Sequence, residues 1–316
     1  MKKYLVLILL TFLICFCAGL VVWWGKSITS VSSDKTSISV VIPKGSSASQ
    51  VGNILKKAGV IKNTLAFKIY IQLTGKSVKI LPGEFTLHQN MSLKTIVTEL
   101  LKGPRELWVT IPEGLRCEEI AIKLATGLGR TGAGYEKFVD DFISVSRGKE
   151  GYLFPDTYLL PKDITPAVIY SKMLETFSKR VAFEVSGKEM ILASLIERET
   201  RGNEEKPIVA GIILKRLEAG WPLQIDATVQ YAVGKAGGYW KSLTKEDLQV
   251  NSLFNTYKNR GFPPAPICNP GLASIKAAVS PEESEFWFYI HDDKGIIHYA
   301  KTAEEHAVNV KKYLGK

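Results

Sequence analysis

The chain has 316 residues, 46% of them hydrophobic, and a net charge of +10 from 41 Lys and Arg against 31 Asp and Glu. That length makes one large domain or two to three small ones, with enough apolar content for real cores. The charge suits nucleic acid, an anionic surface or an anionic polymer without choosing among them. The four cysteines, Cys15, Cys17, Cys117 and Cys268, form neither a CxxC pair nor a disulfide framework. A Cys117–Cys268 bridge and two free thiols are both open. His291, His298 and His306 lack metal-ligand spacing, so neither a metal nor a cofactor is expected.

Met1-Lys2-Lys3 is followed by Tyr4–Trp24, a run of 21 residues without a charge. As a helix it spans about 31 Å, the thickness of a hydrocarbon core. Trp23-Trp24 suit the far interface, and Lys2 and Lys3 favour an inside N-terminus. An uncleaved single-pass anchor is expected, with a signal peptide as the alternative. A body outside the cytoplasm disfavours nucleic acid and ATP and favours a cell-wall polymer. No recognition-helix or RNA-binding motif is present either.

Beyond the anchor, Lys26–Thr36 is Ser/Thr-rich and reads as a stalk or linker. Ile38–Ile42 reads as a strand stopped by Pro43 and Gly45, and Ser46–Ala58 and Asn63–Leu73 as helices. Lys79–Leu87 reads as a strand around a Pro82-Gly83 turn, and Ser92–Leu101 as a helix ended by Gly103-Pro104. The opening unit then recurs. Val40–Gly45 is echoed 69 positions on by Val109–Gly114, with Val51 matching Ile120 and Leu55 matching Leu124. Each copy is a strand, a Pro-x-Gly turn and an amphipathic helix. Lys123–Asp140 reads as a glycine-interrupted helix. The aromatic run Tyr152–Tyr158 reads either as a groove lining or as a packed loop. Helices are expected at Pro166–Val185, Glu204–Gly220, Leu243–Leu248, Leu272–Val279 and Glu304–Leu314, and a hairpin at Phe286–Tyr299.

The helix at Gly187–Thr200 organises the chain. Met190, Ile191, Ala193, Leu195 and Ile196 form its apolar stripe, and Gly202-Asn203 reads as its cap. Glu197 lies four residues after Ala193, at the rim of the buried face. A carboxyl there suits general acid/base work, and an ordinary solvent charge is the competing reading. Glu199, two positions on, points elsewhere. In Leu223–Thr228 polar and apolar residues alternate, which as a strand places Gln224, Asp226 and Thr228 on one side.

Taken together these stretches resemble the endolytic murein transglycosylases, the YceG-like membrane-anchored cell-wall lytic enzymes. The resemblance is carried by Tyr152–Tyr158, Leu192–Thr200, Leu223–Val229, Asn255-Thr256-Tyr257, Gly261–Ile267, Asn269-Pro270-Gly271 and the region of His298, Glu305 and His306. Ala227 and Ile225 depart from the family, which usually has Pro and often Thr there. The resemblance implies an α+β protein: an anchor in 1–25, a linker in 26–37, a LysM-like domain in 38–104 and a catalytic domain in 105–316. It implies cleavage of the β-1,4 bond between N-acetylmuramic acid and N-acetylglucosamine inside nascent glycan strands, with 1,6-anhydro ends. It places the body on the outer side of the cytoplasmic membrane, beside synthases of the elongation machinery.

The family's catalytic glutamate maps to Glu197. Gln224, Asp226 and Thr228 are candidates to bind substrate or to tune Glu197, Asn255 and Tyr257 to bind sugar amides, and Glu199 to support the site from behind. For Gln224, Asp226 and Asn255, strand-edge or turn hydrogen bonding is the alternative. Two other functions stay open: a glycan-binding scaffold for wall synthases, and a true muramidase that uses water and two carboxyls.

Overall fold

The structure, a computed structural model, describes residues 2–75, 80–104 and 106–315, with side chains from residue 9 onward. The chain forms two compact units, one from Met1–Val109 and Tyr158–Asp163, the other from Thr110–Thr157 and Ile164–Lys316.

The first unit begins with helix α1, Lys2–Ile28, whose stretch Leu9–Ile28 is long and apolar enough to cross a membrane. Its side chains from Leu9 to Val22 are largely exposed, whereas Trp23, Trp24 and Ile28 pack on the core of the unit. The expected stalk is therefore tied down at both ends. Its start continues α1, and further on the Val31 and Ser32 N–H groups donate to the Gln89 carbonyl at 3.1 and 3.2 Å.

Strand β1 (Ser37–Ile42) pairs antiparallel with β2 (Gly83–His88), from Ser37 opposite His88 to Ile42 opposite Gly83. Alternation puts Val40, Ile42, Phe85 and Leu87 on one face. Helices α2 (Ala48–Lys57), α3 (Thr64–Leu73) and α4 (Leu93–Lys102) supply Leu55, Phe67, Ile71, Ile96 and Leu100 to the same core. Ser47, Asn63 and Ser92 cap the three helices by accepting from their first-turn N–H groups. Strands β3 (Glu106–Thr110) and β4 (Thr157–Pro161) complete a sheet of order β1-β2-β3-β4. Lys79, the first residue of the expected second strand, lies outside the described residues.

The second unit holds α5 (Cys117–Gly127), α6 (Gly132–Ser146), α7 (Pro166–Arg180), α8 (Gly187–Glu199), α9 (Lys206–Glu218), α10 (Asp226–Val233), α11 (Leu272–Val279) and α12 (Ala303–Leu314). The hairpin β5–β6 (Phe288–His291, Ile297–Ala300) precedes α12. Helix α8 sits at the centre, against α9, α10 and α11. Met190, Leu192, Ala193, Leu195 and Ile196 are all buried, and Ser186 and Glu189 close a capping box at its start. The sequence echo is real locally. Gly45 and Gly114 both take left-handed conformations (φ 80° and 77°), and Val51, Leu55, Ile120 and Leu124 are all buried.

Three local expectations need correction. Leu223–Thr228 is no strand: Gln224 has φ 52°, which breaks an extended run, and Asp226 opens α10, where a carboxylate meets the positive helix end. Gln224 and Asp226 are exposed and Thr228 is buried, so the three share no face. Gly202-Asn203 does not cap α8. The helix ends at Thr200 in extended conformation, whose hydroxyl donates to the Ile196 carbonyl at 2.7 Å. Leu243–Leu248 yields only a short 3-10 turn at Asp247–Gln249, within loop. The two body cysteines are buried free thiols with different partners, Glu150 for Cys117 and the Ser194 carbonyl for Cys268, which excludes the bridge.

Candidate active site

Helix α8 carries Glu197 to the edge of its own apolar face, where three other segments meet it. Oε2 of Glu197 accepts from the Ser274 hydroxyl at 2.5 Å, the Gly271 N–H at 3.1 Å and the Lys206 ammonium at 3.3 Å. Lys206 also donates to Ser274 at 2.6 Å. Lys206 opens α9 and Ser274 lies on α11, so the packing of three helices builds this cluster. Among the described residues nothing hydrogen-bonds to Oε1, which leaves one oxygen of the carboxyl for chemistry.

The strip before α11 is stitched along α8. Ser194 accepts from the Ile267 N–H at 3.0 Å, one helical turn before Gly271 reaches Glu197. Between them Asn269 is buried with every side-chain valence used. Its Oδ1 accepts from the N–H groups of Gly151 and Leu153, both at 2.9 Å, and its Nδ2 donates to the Leu115 carbonyl at 3.0 Å and to Glu150 at 2.7 Å. Gly114 and Leu115 also bond to the Asn269 backbone, at 2.9 and 2.8 Å. The four prolines of this stretch exclude regular structure, so side-chain and bridging hydrogen bonds do the work of a ladder.

Glu113 stands on this strapped turn. It is exposed, yet its carboxyl lies so close over Gly271 that a Cβ there would collide with its Oε1 and Cδ. Partial burial, then the Glu197 charge, push the Glu113 pKa above the usual carboxylate range, with Lys206 opposing. Glu150, behind Asn269, is also raised, to about 7, chiefly because it is buried.

The remaining sequence candidates fall into two groups. The exposed Asp226 accepts from the Tyr257 hydroxyl at 2.5 Å, and burial and that hydrogen bond raise the Tyr257 pKa. Gln224 is exposed beside Asp226, its side chain without a partner among the described residues. Thr228 and Asn255 face inward. The Thr228 hydroxyl donates to the Ile225 carbonyl at 2.7 Å, and Asn255 donates to the carbonyls of Leu248 and Val250 and accepts from the Tyr257 N–H. Glu199 is no solvent charge, since the Tyr289 hydroxyl of β5 donates to it at 2.8 Å. Burial raises its pKa, which that hydrogen bond only partly offsets. The aromatic run Tyr152–Tyr158 is a packed loop that leads into β4: Tyr152 and Phe154 set their rings 5.3 and 6.4 Å from Phe177.

Sequence reasoning missed Lys206, Ser274 and Glu113. A lysine one residue before the proline that precedes an apolar run was a usable signal, as was the glutamate inside the repeated Pro-x-Gly turn.

The chain resembles proteins of one kind over most of its length. A protein of Bacillus subtilis named endolytic murein transglycosylase is 31% identical over 92% of this chain and 89% of its own length. A Streptococcus pneumoniae protein of the same name is 27% identical over 90% of this chain, which spans 59% of that longer relative. The crystal structure of a YceG-like protein from Listeria monocytogenes superposes with a TM-score of 0.56 at 29% identity, covering 87% of this chain and 99% of that one. With residues 40–312 matching the model of the YceG-like family, the chain is a member of that family.

Proposed function

We propose that this protein is an endolytic murein transglycosylase, a lyase that cuts glycan strands of peptidoglycan between N-acetylmuramic acid and N-acetylglucosamine and leaves 1,6-anhydro ends. One observation carries the reading: the glutamate of α8 has one oxygen held by Lys206, Ser274 and Gly271 and the other, among the described residues, unbonded. The relatives' shared name supports the substrate class.

Glu197 is the general acid/base. It first protonates the leaving oxygen, and as the C1–O4 bond breaks positive charge develops at C1. The resulting carboxylate then takes the proton of the muramic acid's own C6 hydroxyl, the nucleophile that closes onto C1. No water is consumed. Holding C6–OH against C1 makes the attack intramolecular, worth up to about 7–11 kcal/mol of barrier. The fixed ammonium and N–H donors keep the carboxyl in one orientation throughout, at no reorganisation cost. Asp226, with Tyr257 on it, and Gln224 contact the sugar, and Thr228, Asn255 and Glu199 hold those groups from behind.

The exposed apolar length of α1 supports a single-pass anchor, and a peptidoglycan substrate supports a body on the outer side of the cytoplasmic membrane. Residues 38–104 are read as a LysM-like module that holds the strand.

Mass spectrometry of un-crosslinked strands digested by the full chain in detergent tests the reading. Products one water lighter than hydrolytic ones, lost with Glu197→Gln, are expected. Full-mass reducing ends would make the protein a muramidase. Unimpaired cleavage by Glu197→Gln would remove Glu197 from the chemistry.

A further inference from the structure

Two carboxyls, not one, border the same backbone atoms. The Gly271 N–H donates to Oε2 of Glu197 at 3.1 Å, and the Glu113 carboxyl rests on the Gly271 Cα. From the other side, a Cβ on Gly114 would lie 3.6 Å from Cγ of Glu197. The turn bearing Glu113 is anchored next to that contact by the Gly114 N–H to the Asn269 carbonyl at 2.9 Å and the Asn269 N–H to the Leu115 carbonyl at 2.8 Å.

The surroundings of the two groups differ. Glu197 receives a cation and two further donors on one oxygen. Among the described residues the Glu113 carboxyl has no hydrogen bond, and it is exposed to an incoming ligand. The charges acting on it are Glu197 and Lys206, and Arg198 donates to the neighbouring Gly114 carbonyl at 3.5 Å. Burial and the neighbouring Glu197 charge favour its protonated form, against Lys206. Where two neighbouring carboxyls sit in different environments, one bonded on one side by a cation and N–H and O–H donors and the other open to ligand, the acid and base roles can divide between them.

We infer that Glu113 is a second catalytic residue: it donates the proton to the leaving N-acetylglucosamine oxygen, while Glu197 takes the proton from the attacking C6 hydroxyl. The inference rests on the transglycosylase reading above and refines its single acid/base. The step balances. The O–H bond of Glu113 breaks and its proton goes to O4 of the leaving sugar. The C1–O4 bond breaks with its electron pair on O4, the C6 oxygen forms the new bond to C1, and the C6 hydroxyl proton goes to Glu197. One proton passed from Glu197 back to Glu113 restores the enzyme, and no co-reactant is needed.

The test uses the full chain in detergent and its Glu113→Gln, Glu113→Asp and Glu197→Gln variants, each with a thermal melt as folding control. The substrates are un-crosslinked glycan strands and a muramic-acid-ended oligosaccharide carrying 4-nitrophenol at C1, a leaving group that departs without a proton. Glu113→Gln is expected to lose roughly 10²–10⁴-fold in kcat on strands yet to stay within about tenfold of the parent on the nitrophenyl substrate. Glu113→Asp, which keeps an acid, regains part of the strand activity. Glu197→Gln fails on both substrates. No loss on strands by Glu113→Gln, or an equal loss on both substrates, overturns the assignment of Glu113 and leaves that of Glu197 standing. A Glu197→Gln variant active on both substrates overturns the reading of Glu197 instead.

Discussion

Lys206 Nζ lies 3.3 Å from Oε2 of Glu197, with their side chains only 5% and 9% exposed. A pair this enclosed is costly to break from one side, because the remaining charge stays buried without a partner. Lys206→Met is expected to lower folding stability by about 3 kcal/mol and to abolish most activity. Adding Glu197→Gln to it removes the stranded charge and recovers much of that stability but none of the activity. A double-mutant cycle by urea denaturation measures the coupling, which is expected to exceed about 1 kcal/mol.

Glu150 makes stability fall with rising pH. Its pKa is raised from 4.5 to about 7 in the folded chain, so the folded state holds that proton more tightly than the unfolded one. Its contribution is whole below about pH 4.5, declines as pH rises toward 7 and is flat above, a difference on the order of 3 kcal/mol. Glu150→Gln stays neutral and keeps a shape that Asn269 and Tyr231 can bond. Subtracting its melting profile from that of the parent is expected to give this slope, and a flat difference would refute it.

Gln224 holds a left-handed backbone conformation, φ 52°, that glycine adopts without steric cost. Its side chain is exposed, so folding gains little from it. Gln224→Gly is expected to raise the melting temperature by about 1–2 °C, relief of strain being partly offset by unfolded-state entropy. The same change is expected to raise KM for glycan strands several-fold if the exposed amide contacts sugar, as proposed. Calorimetry and steady-state kinetics on one preparation separate the two effects.

Trp23, Trp24 and Ile28 pack on the core of the first unit, and Val31 and Ser32 bond to Gln89. A chain shortened to residues 22–316 keeps these contacts, and one shortened to 33–316 loses them. The shorter form is expected to be less stable by on the order of 2 kcal/mol, from apolar surface returned to water. Side-by-side denaturation of the two shortened chains checks this.

Much of this architecture is legible in the linear chain where the signal is local. The periodicity of Met190–Ile196 placed Glu197 at the rim of a buried face, and the echo of Val40–Gly45 in Val109–Gly114 marked two strand–turn–helix units with left-handed glycines. Alternation misled at Leu223–Thr228, because a period-two pattern does not show one residue turning to φ 52° and the next turn closing as a helix. The direction in which Glu199 points was not legible, because its partner, Tyr289, is 90 positions away.

The sequence by itself determined the membrane-length apolar helix, the α+β composition, the central helix and the glutamate on it, since each depends on spacing within one segment. The tertiary structure alone decided what surrounds that glutamate. Lys206, Glu113, and Gly271 with Ser274 come from three separate segments, each held by its own helix packing or turn, and only long-range burial brings them together. A carboxyl's chemistry depends on the charges and donors within a few ångströms of it, and those distances are set by packing, not by order along the chain.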